Sequence, residues 1–398
     1  MNLDRINQIK SLSKDIKTKV QAYREYLHAN PELSYEEHET MHFVSEKLTD
    51  LGIKHSAKIG GTGVVGIIRG EHHKEDMPCI GLRADLDALP IHEENEVPYR
   101  SKIDGVMHAC GHDVHTSVLL GAAEVLQSMR NSLPYPVKLI FQPGEEKNPG
   151  GATLMIRDGV LKDPKIIRMF ALHVFPEMEV GRVGFREGLY MASCDEIHAT
   201  IYGKGGHGAT PHKCIDPILI GAEIVTSLQK IVSRKCDPKV PCVLSFGHFE
   251  AQGATNIIPS SAHIKGTFRT MNEAWRAEAL KLIEQSMTGI VVSAGGTLEL
   301  EISKGYPYLE NDPKTTQSMK SIAINLLGEE NVEDLPIRLT AEDFSYYSQE
   351  VPVCFFRLGV GNSEQGIVHG VHHPKFNIDN SSLEIGVQMM VSAAFIDS

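Results

Sequence analysis

The chain of 398 residues carries 39 Lys and Arg against 51 Asp and Glu, a formal net charge of −12 with histidines neutral. With 41% hydrophobic and 23% charged residues it sits near the globular average, which excludes collagen-like, disordered and disulfide-scaffold chains; its length suggests two domains, or one carrying an insertion. The acidic balance argues against a nucleic acid or an anionic membrane as partner and leaves small molecules as the default substrate.

At the N-terminus, Ile6, Ile9, Leu12, Ile16, Val20, Tyr23 and Leu27 recur every three or four residues. The spacing predicts one amphipathic helix, which Asn30-Pro31 ends. The segment has no apolar export core, and no run reaches the length of a membrane span. Cys79, Cys110, Cys194, Cys214, Cys236, Cys242 and Cys354 are odd in number and lack paired spacing. They read as reduced thiols, so the chain is expected in the cytoplasm, with neither export nor insertion.

Short apolar runs follow at Cys79 to Leu82, Val137 to Phe141 and Ile166 to Leu172, with a helix from about His115 to Met129 between the first two. This alternation predicts an α/β domain, whose working groups gather past the carboxyl ends of its strands. Each run leads to polar candidates there: Asp85 and Asp87, then Glu145 and Glu146, then His173.

From about residue 194 the pattern changes. Strands are predicted at Asp195 to Tyr202, Pro241 to Phe249, Ala262 to Thr270 and Thr297 to Ile302, with helices at Asp216 to Arg234 and Asn272 to Ser293. The order βαββαβ is the ferredoxin-like arrangement. A helix from Pro313 to Leu327 and the run Val353 to Leu358 then return to the earlier style. The division is therefore a catalytic domain at 1–190 and 304–398 with a small domain inserted at 191–303.

Chemistry concentrates in Met107-His108-Ala109-Cys110-Gly111-His112-Asp113-Val114-His115. One cysteine and two histidines within six positions suit Zn²⁺, Mn²⁺ or similar ions; the competing reading is a buried thiol beside capping residues, with Asp113 as N-cap. Gln142-Pro143-Gly144-Glu145-Glu146 places two carboxylates past a buried strand, where one can hold a metal while the other moves a proton; a solvated acidic turn is the alternative. His173 is open to a core role and His372-His373-Pro374 to a surface one. Cys110, His112, a glutamate, His173 and a C-terminal histidine make five ligands, too many for one tetrahedral ion and suited to two.

The segments Leu82 to Pro90, Met107 to His115, Phe141 to Glu146 with Gly150-Gly151-Ala152, Ala171-Leu172-His173, Gly205 to His212, Asn256-Ile257-Ile258-Pro259 and His372-His373-Pro374 occur in this order. The series resembles the amidohydrolase branch of the dinuclear metallopeptidase and aminoacylase family, which includes hippurate hydrolases, auxin-conjugate hydrolases and N-acetyl-diaminopimelate deacetylases. The resemblance implies a metallopeptidase-like catalytic domain with an inserted lid and dimerisation domain, and a homodimer or higher homo-oligomer. It implies two divalent ions per subunit (Mn²⁺, Zn²⁺, Ni²⁺ or Co²⁺) held by Cys110, His112, Glu146, His173 and His372, the last preferred over His373 by the pattern His-x-Pro. Glu145 becomes the general base, Asp85 an active-site aspartate acting behind the ligands, and His207 a donor to the oxyanion. Asn256 and Arg269 fall where similar proteins hold the substrate carboxylate, although for Arg269 a structural ion pair at a β-edge is an equal reading. Where peptidase branches carry a ligand histidine two residues before the aspartate, this chain has Arg83, and His112 is read as compensating.

The function so implied is hydrolysis of the amide bond of N-acyl amino acids. The nearest rival is an exopeptidase or dipeptidase on the same site; others are a thiol hydrolase with Cys110 as nucleophile and a binding module without turnover. Trp275, within a helical pattern, is read as packing, and the remaining cysteines as small core residues.

Overall fold

The computed structural model describes residues 1–396 and divides into two compact units. The first comprises Met1–Tyr190, Glu310–Ile337 and Asp343–Ser398; the second comprises Met191–Leu309 and Arg338–Glu342. The short return at 338–342 and the boundary at 309/310 rather than 303/304 are features that hydrophobic patterning does not signal.

Among the described residues, the first unit is built on an eight-stranded sheet. Its strands lie in the order Lys54–Ile59, Gly63–Ile68, Val137–Gln142, Cys79–Asp85, Ile166–Glu179, Val353–Gly361, Val183–Phe185 and Val332–Asp334. From Val137–Gln142 to Val353–Gly361 the neighbours run parallel. Val137–Gln142, Cys79–Asp85 and Val353–Gly361 are buried at every position, as expected of parallel strands covered on both faces. The helix His112–Ser128 is buried almost all round and packs against the C-terminal helix Ser381–Ala393 and the N-terminal helix Lys17–Ala29.

The single N-terminal helix expected from periodicity is two helices, Leu3–Asp15 and Lys17–Ala29, separated at Ile16, whose φ and ψ are −97° and 0°. Both turn their apolar residues to one core, so the spacing runs unbroken through the interruption. Asp113 does not cap the following helix: Gly111 is the N-cap, and Asp113 lies in the first turn, where Oδ2 accepts from Arg24 Nε at 2.9 Å and from His28 Nδ1 at 2.8 Å.

The second unit has a four-stranded antiparallel sheet ordered Cys242–Glu250, Ser261–Thr270, Asp195–Tyr202 and Thr297–Lys304. With helices Pro217–Lys230 and Glu273–Ser293 in the connections, this is the ferredoxin-like order. Asp216 and Asn272 cap the two helices with their side chains, and Pro217 occupies the first helical position. Trp275 packs on this core and donates Nε1–H to Cys242 Sγ at 3.4 Å. Of the cysteines outside the candidate site, Cys79 and Cys354 are buried but Cys194, Cys214, Cys236 and Cys242 are only partly so, a correction to the core reading. Among the described residues, no helix is long and apolar enough to cross a membrane.

Candidate metal centre

Four chain segments meet near the carboxyl ends of the parallel strands of the first unit. Cys110 and His112 flank Gly111 at the start of the helix His112–Ser128. Gly111 has a φ of 83°, and a Cβ there would stand 2.5 Å from Val174 Cγ2, so only glycine joins the two donors in this way. Glu145 and Glu146 follow the strand Val137–Gln142, His173 lies within Ile166–Glu179, and His372 comes from the loop after Val353–Gly361.

The donor atoms of Cys110, His112 and His173 all lie within 4.8 Å of one another, as do those of Cys110, Glu146 and His372. Cys110 belongs to both sets, and its Sγ is 3.5 Å from His173 Nε2. His112 donates Nδ1–H to the Asp87 carbonyl at 2.8 Å, and His173 donates Nδ1–H to the Val174 carbonyl at 2.8 Å. Each ring therefore keeps Nε2 for a cation. Asp87 Oδ2 also accepts the Glu146 amide at 2.9 Å.

His372 has a φ of 65°, donates its amide to the Ala109 carbonyl at 2.7 Å, and places Nε2 3.2 Å from Glu146 Oε1. His373 turns elsewhere: its ring stacks on His369 at 4.2 Å, and its Nδ1 accepts the Lys375 amide. Glu145 is buried, and its carboxylate lies within 4.8 Å of donor atoms of His112 and Glu146.

The residues fit a divalent cation. His112 Nε2 is buried with no hydrogen-bond partner among the described residues, the buried Glu146 Oε1 faces His372 Nε2, and thiolate, imidazole and carboxylate together suit borderline-soft metals. A third cluster, Asp85, His112 and His115, fits less well. Asp85 Oδ2 is 2.6 Å from Arg83 Nη1, and His115 Nε2 accepts the Val174 amide at 3.0 Å, so two of the three are already engaged.

His207, Asn256 and Arg269 belong to the second unit. His207 lies on the short strand Gly206–His207, which pairs with Ile257–Ile258, and the Asn256 carbonyl accepts the Gly208 amide at 2.8 Å. The fold thus brings the His207 and Asn256 loops together. Arg269 is on Ser261–Thr270, an inner strand rather than an edge, and it bonds Thr267 Oγ1 and the Leu339 carbonyl, each at 3.3 Å.

A family model described as peptidase family M20/M25/M40 matches residues 81–395. This chain belongs to that family. It is 40% identical over 371 residues to YhaA of Bacillus subtilis (strain 168), covering 93% of this chain and 92% of the other. It is also 40% identical over 311 residues to the N-acyl-L-amino acid amidohydrolase of Geobacillus stearothermophilus, covering 77% and 83%. A Bacillus subtilis crystal structure described as a dinuclear metal binding peptidase from the M20 family superposes with a TM-score of 0.80 at 31% identity, covering 96% of this chain and 98% of that one. This M20 chain is a metal-dependent amide hydrolase.

The charges around the M20 site oppose ionisation of its thiol. Burial pushes Cys110 well above the ordinary thiol range, and the carboxylates of Glu146, Glu145 and Asp85 push it further. Burial alone would lower His112, but Asp85, Asp87 and Glu146 outweigh it and lift the ring to about 10. His173 is held well below its usual value by burial, with the Arg357 charge adding to it. Near neutral pH burial and the neighbouring carboxylates thus keep a proton on Cys110, and the carboxylates keep one on His112; a cation binding at this cluster would have to displace both. Titration of the metal-free protein with Zn²⁺ in buffers of different ionisation heat is expected to show proton release from both groups. The sign follows: apparent affinity rises with pH, by about tenfold per unit per proton released. Affinity flat between pH 6 and 8 would contradict this.

Sequence reasoning left four residues without the contacts they prove to make. Asp87 orients His112 and Glu146; Arg83 and His115 bracket Asp85; and Asp343 accepts from Arg83, from Gln142 and from the Ala152 amide at the start of the helix Gly151–Arg157. For Arg83 and Asp87 a place in or just past the buried strand Cys79–Asp85 was the available signal, but apart from the Arg83–Asp85 pair the partners of all four lie 25 residues or more away in the chain.

Proposed function

We propose that this chain hydrolyses the amide bond of N-acyl amino acids at a centre of two divalent cations held by Cys110, His112, Glu146, His173 and His372. The observation that carries the reading is Cys110 at the intersection of two donor sets, with the buried Glu145 beside them. Bound Mn²⁺, Zn²⁺, Ni²⁺ or Co²⁺ would supply Lewis acidity, polarising the scissile carbonyl and making water more acidic.

The protein's own groups do the rest. Glu145, buried and near the ligands, accepts a proton from the attacking water and returns it to the departing amine nitrogen. Asp87 and the Val174 carbonyl hold the imidazoles of His112 and His173 with Nε2 free. Asp85 supports the ligands from behind. His207 is assigned as hydrogen-bond donor to the developing oxyanion, and Asn256 and Arg269 to the substrate carboxylate, on the resemblance of the segments that carry them; their donor groups suit these roles.

A covalent cysteine mechanism fits the surroundings poorly. Cys110 and His173 are close enough to form a dyad, but neighbouring carboxylates and burial oppose the thiolate, whereas reactive cysteines sit in electropositive settings. The second reading, a peptidase on the same centre, is favoured by the description of the structural relative.

The test is a hydrolysis panel of acetyl, benzoyl and indole-acetyl amino acids beside dipeptides, run on one preparation before and after chelation. Faster cleavage of acyl amino acids, lost on chelation and restored by Mn²⁺, Zn²⁺ or Co²⁺, is expected. Faster dipeptide cleavage would replace the first reading with the second.

A further inference from the structure

We propose that Arg83, Asp85 and His115 form a relay that fixes the orientation and tautomer of His173, making all three positioning residues of the cation centre. The inference rests on the reading of His173 as a ligand.

The donor and acceptor directions along the relay are forced. The Val174 amide reaches His115 Nε2 at 3.0 Å, and an amide only donates, so Nε2 carries the lone pair and the proton sits on Nδ1. That Nδ1–H donates to Asp85 Oδ1 at 2.6 Å. The other oxygen, Oδ2, accepts from Arg83 Nη1 at 2.6 Å. Arg83 is itself pinned, since Nη2 donates to Asp343 Oδ1 at 2.8 Å and Nε to Gln142 Oε1 at 3.1 Å.

At the far end, the Val174 carbonyl only accepts, so the His173 Nδ1 at 2.8 Å from it carries the ring proton. Val174 is thereby held at both backbone polar groups, its N–H by His115 and its C=O by His173. Its side chain is also wedged against Gly111, where even a methyl group would collide. The His115 and His173 rings lie 4.7 Å apart between centroids. His173 Nε2 is consequently aimed at Cys110 Sγ by a chain that begins at a buried guanidinium.

This gives Arg83 a definite task in place of the ligand histidine of the peptidase branches. A guanidinium cannot ligate a cation, and here it occupies Asp85 and leaves that carboxylate as the acceptor His115 requires. Partners of this kind, one step behind the ligands, typically change metal affinity by about 10- to 100-fold.

The experiment titrates metal-free full-length protein with Co²⁺ and records the thiolate-to-cobalt charge-transfer band and the visible ligand-field bands. His115→Phe keeps a flat ring and removes both nitrogens; Asp85→Asn keeps the shape and removes the charge. Both are expected to weaken Co²⁺ binding by about 10- to 100-fold and to alter the ligand-field bands, with far-ultraviolet circular dichroism unchanged. Arg83→Lys is expected to retain more of the affinity than Arg83→Met. If His115→Phe does not fold, Asp85→Asn and the Arg83 pair carry the test. Wild-type affinity and bands in the variants would overturn the relay and leave the centre standing. Absence of the thiolate band in wild-type protein would overturn both the centre and the relay.

Discussion

Glu145→Gln is expected to lower kcat by about 10²- to 10⁴-fold, equivalent to about 3–5 kcal/mol on the barrier, while the protein still binds its cations. A carboxamide fills the space of the carboxylate but cannot take a proton from water or return one to an amine. Glu145 is buried within 4.8 Å of donor atoms of His112 and Glu146, so a proton moved there is not readily exchanged with solvent. Because Glu145 is not one of the five assigned ligands, cation stoichiometry should hold while turnover falls. Full turnover with metals bound would remove Glu145 from its role. Loss of the cations themselves would make it a ligand and leave the proton carrier to be found elsewhere.

The second large effect concerns Cys110. It is the donor shared by the two clusters, so Cys110→Ala is expected to damage both and to abolish measurable hydrolysis. The distinguishing measurement is thermal stability with and without metal. A ligand present at 100 times its dissociation constant stabilises the native state by about 2.7 kcal/mol, and the variant should lose most of that gain. Were Cys110 instead a covalent nucleophile, Cys110→Ala would also lose activity but keep the full metal-induced stabilisation. Retention of both activity and stabilisation would contradict the metal-centre assignment of this residue.

The parts of the molecule legible in the sequence were those where local pattern and tertiary environment agree. The strands Cys79–Asp85 and Val137–Gln142 are apolar runs because both faces are covered, and the βαββαβ order of the second unit emerged because its sheet has one polar face and its helices are capped by Asp216 and Asn272. The hairpin formed by Lys54–Ile59 and Gly63–Ile68 gave no signal, since its edge strand is largely exposed on both faces and does not alternate. The C-terminal helix Ser381–Ala393 is buried nearly all round, which erases the amphipathic period.

The same logic applies to the site. Cys110, His112, Glu145 and Glu146 stand out because they are clustered in the chain. The resemblance preferred His372 over His373 by the pattern His-x-Pro, but spacing alone does not separate them; what does is tertiary: one histidine, at a positive φ, turns to Glu146 while its neighbour stacks on His369. The partners of the second ring nitrogens are backbone carbonyls, at Asp87 and Val174, and no side-chain motif announces a carbonyl.

The most direct test of the central claim is anomalous diffraction from crystals soaked in manganese or zinc. Two peaks, both bordering Cys110, one toward His112 and His173 and the other toward Glu146 and His372, are the expected result. No density among these five side chains, or a single peak beside Asp85 and His115, would contradict it.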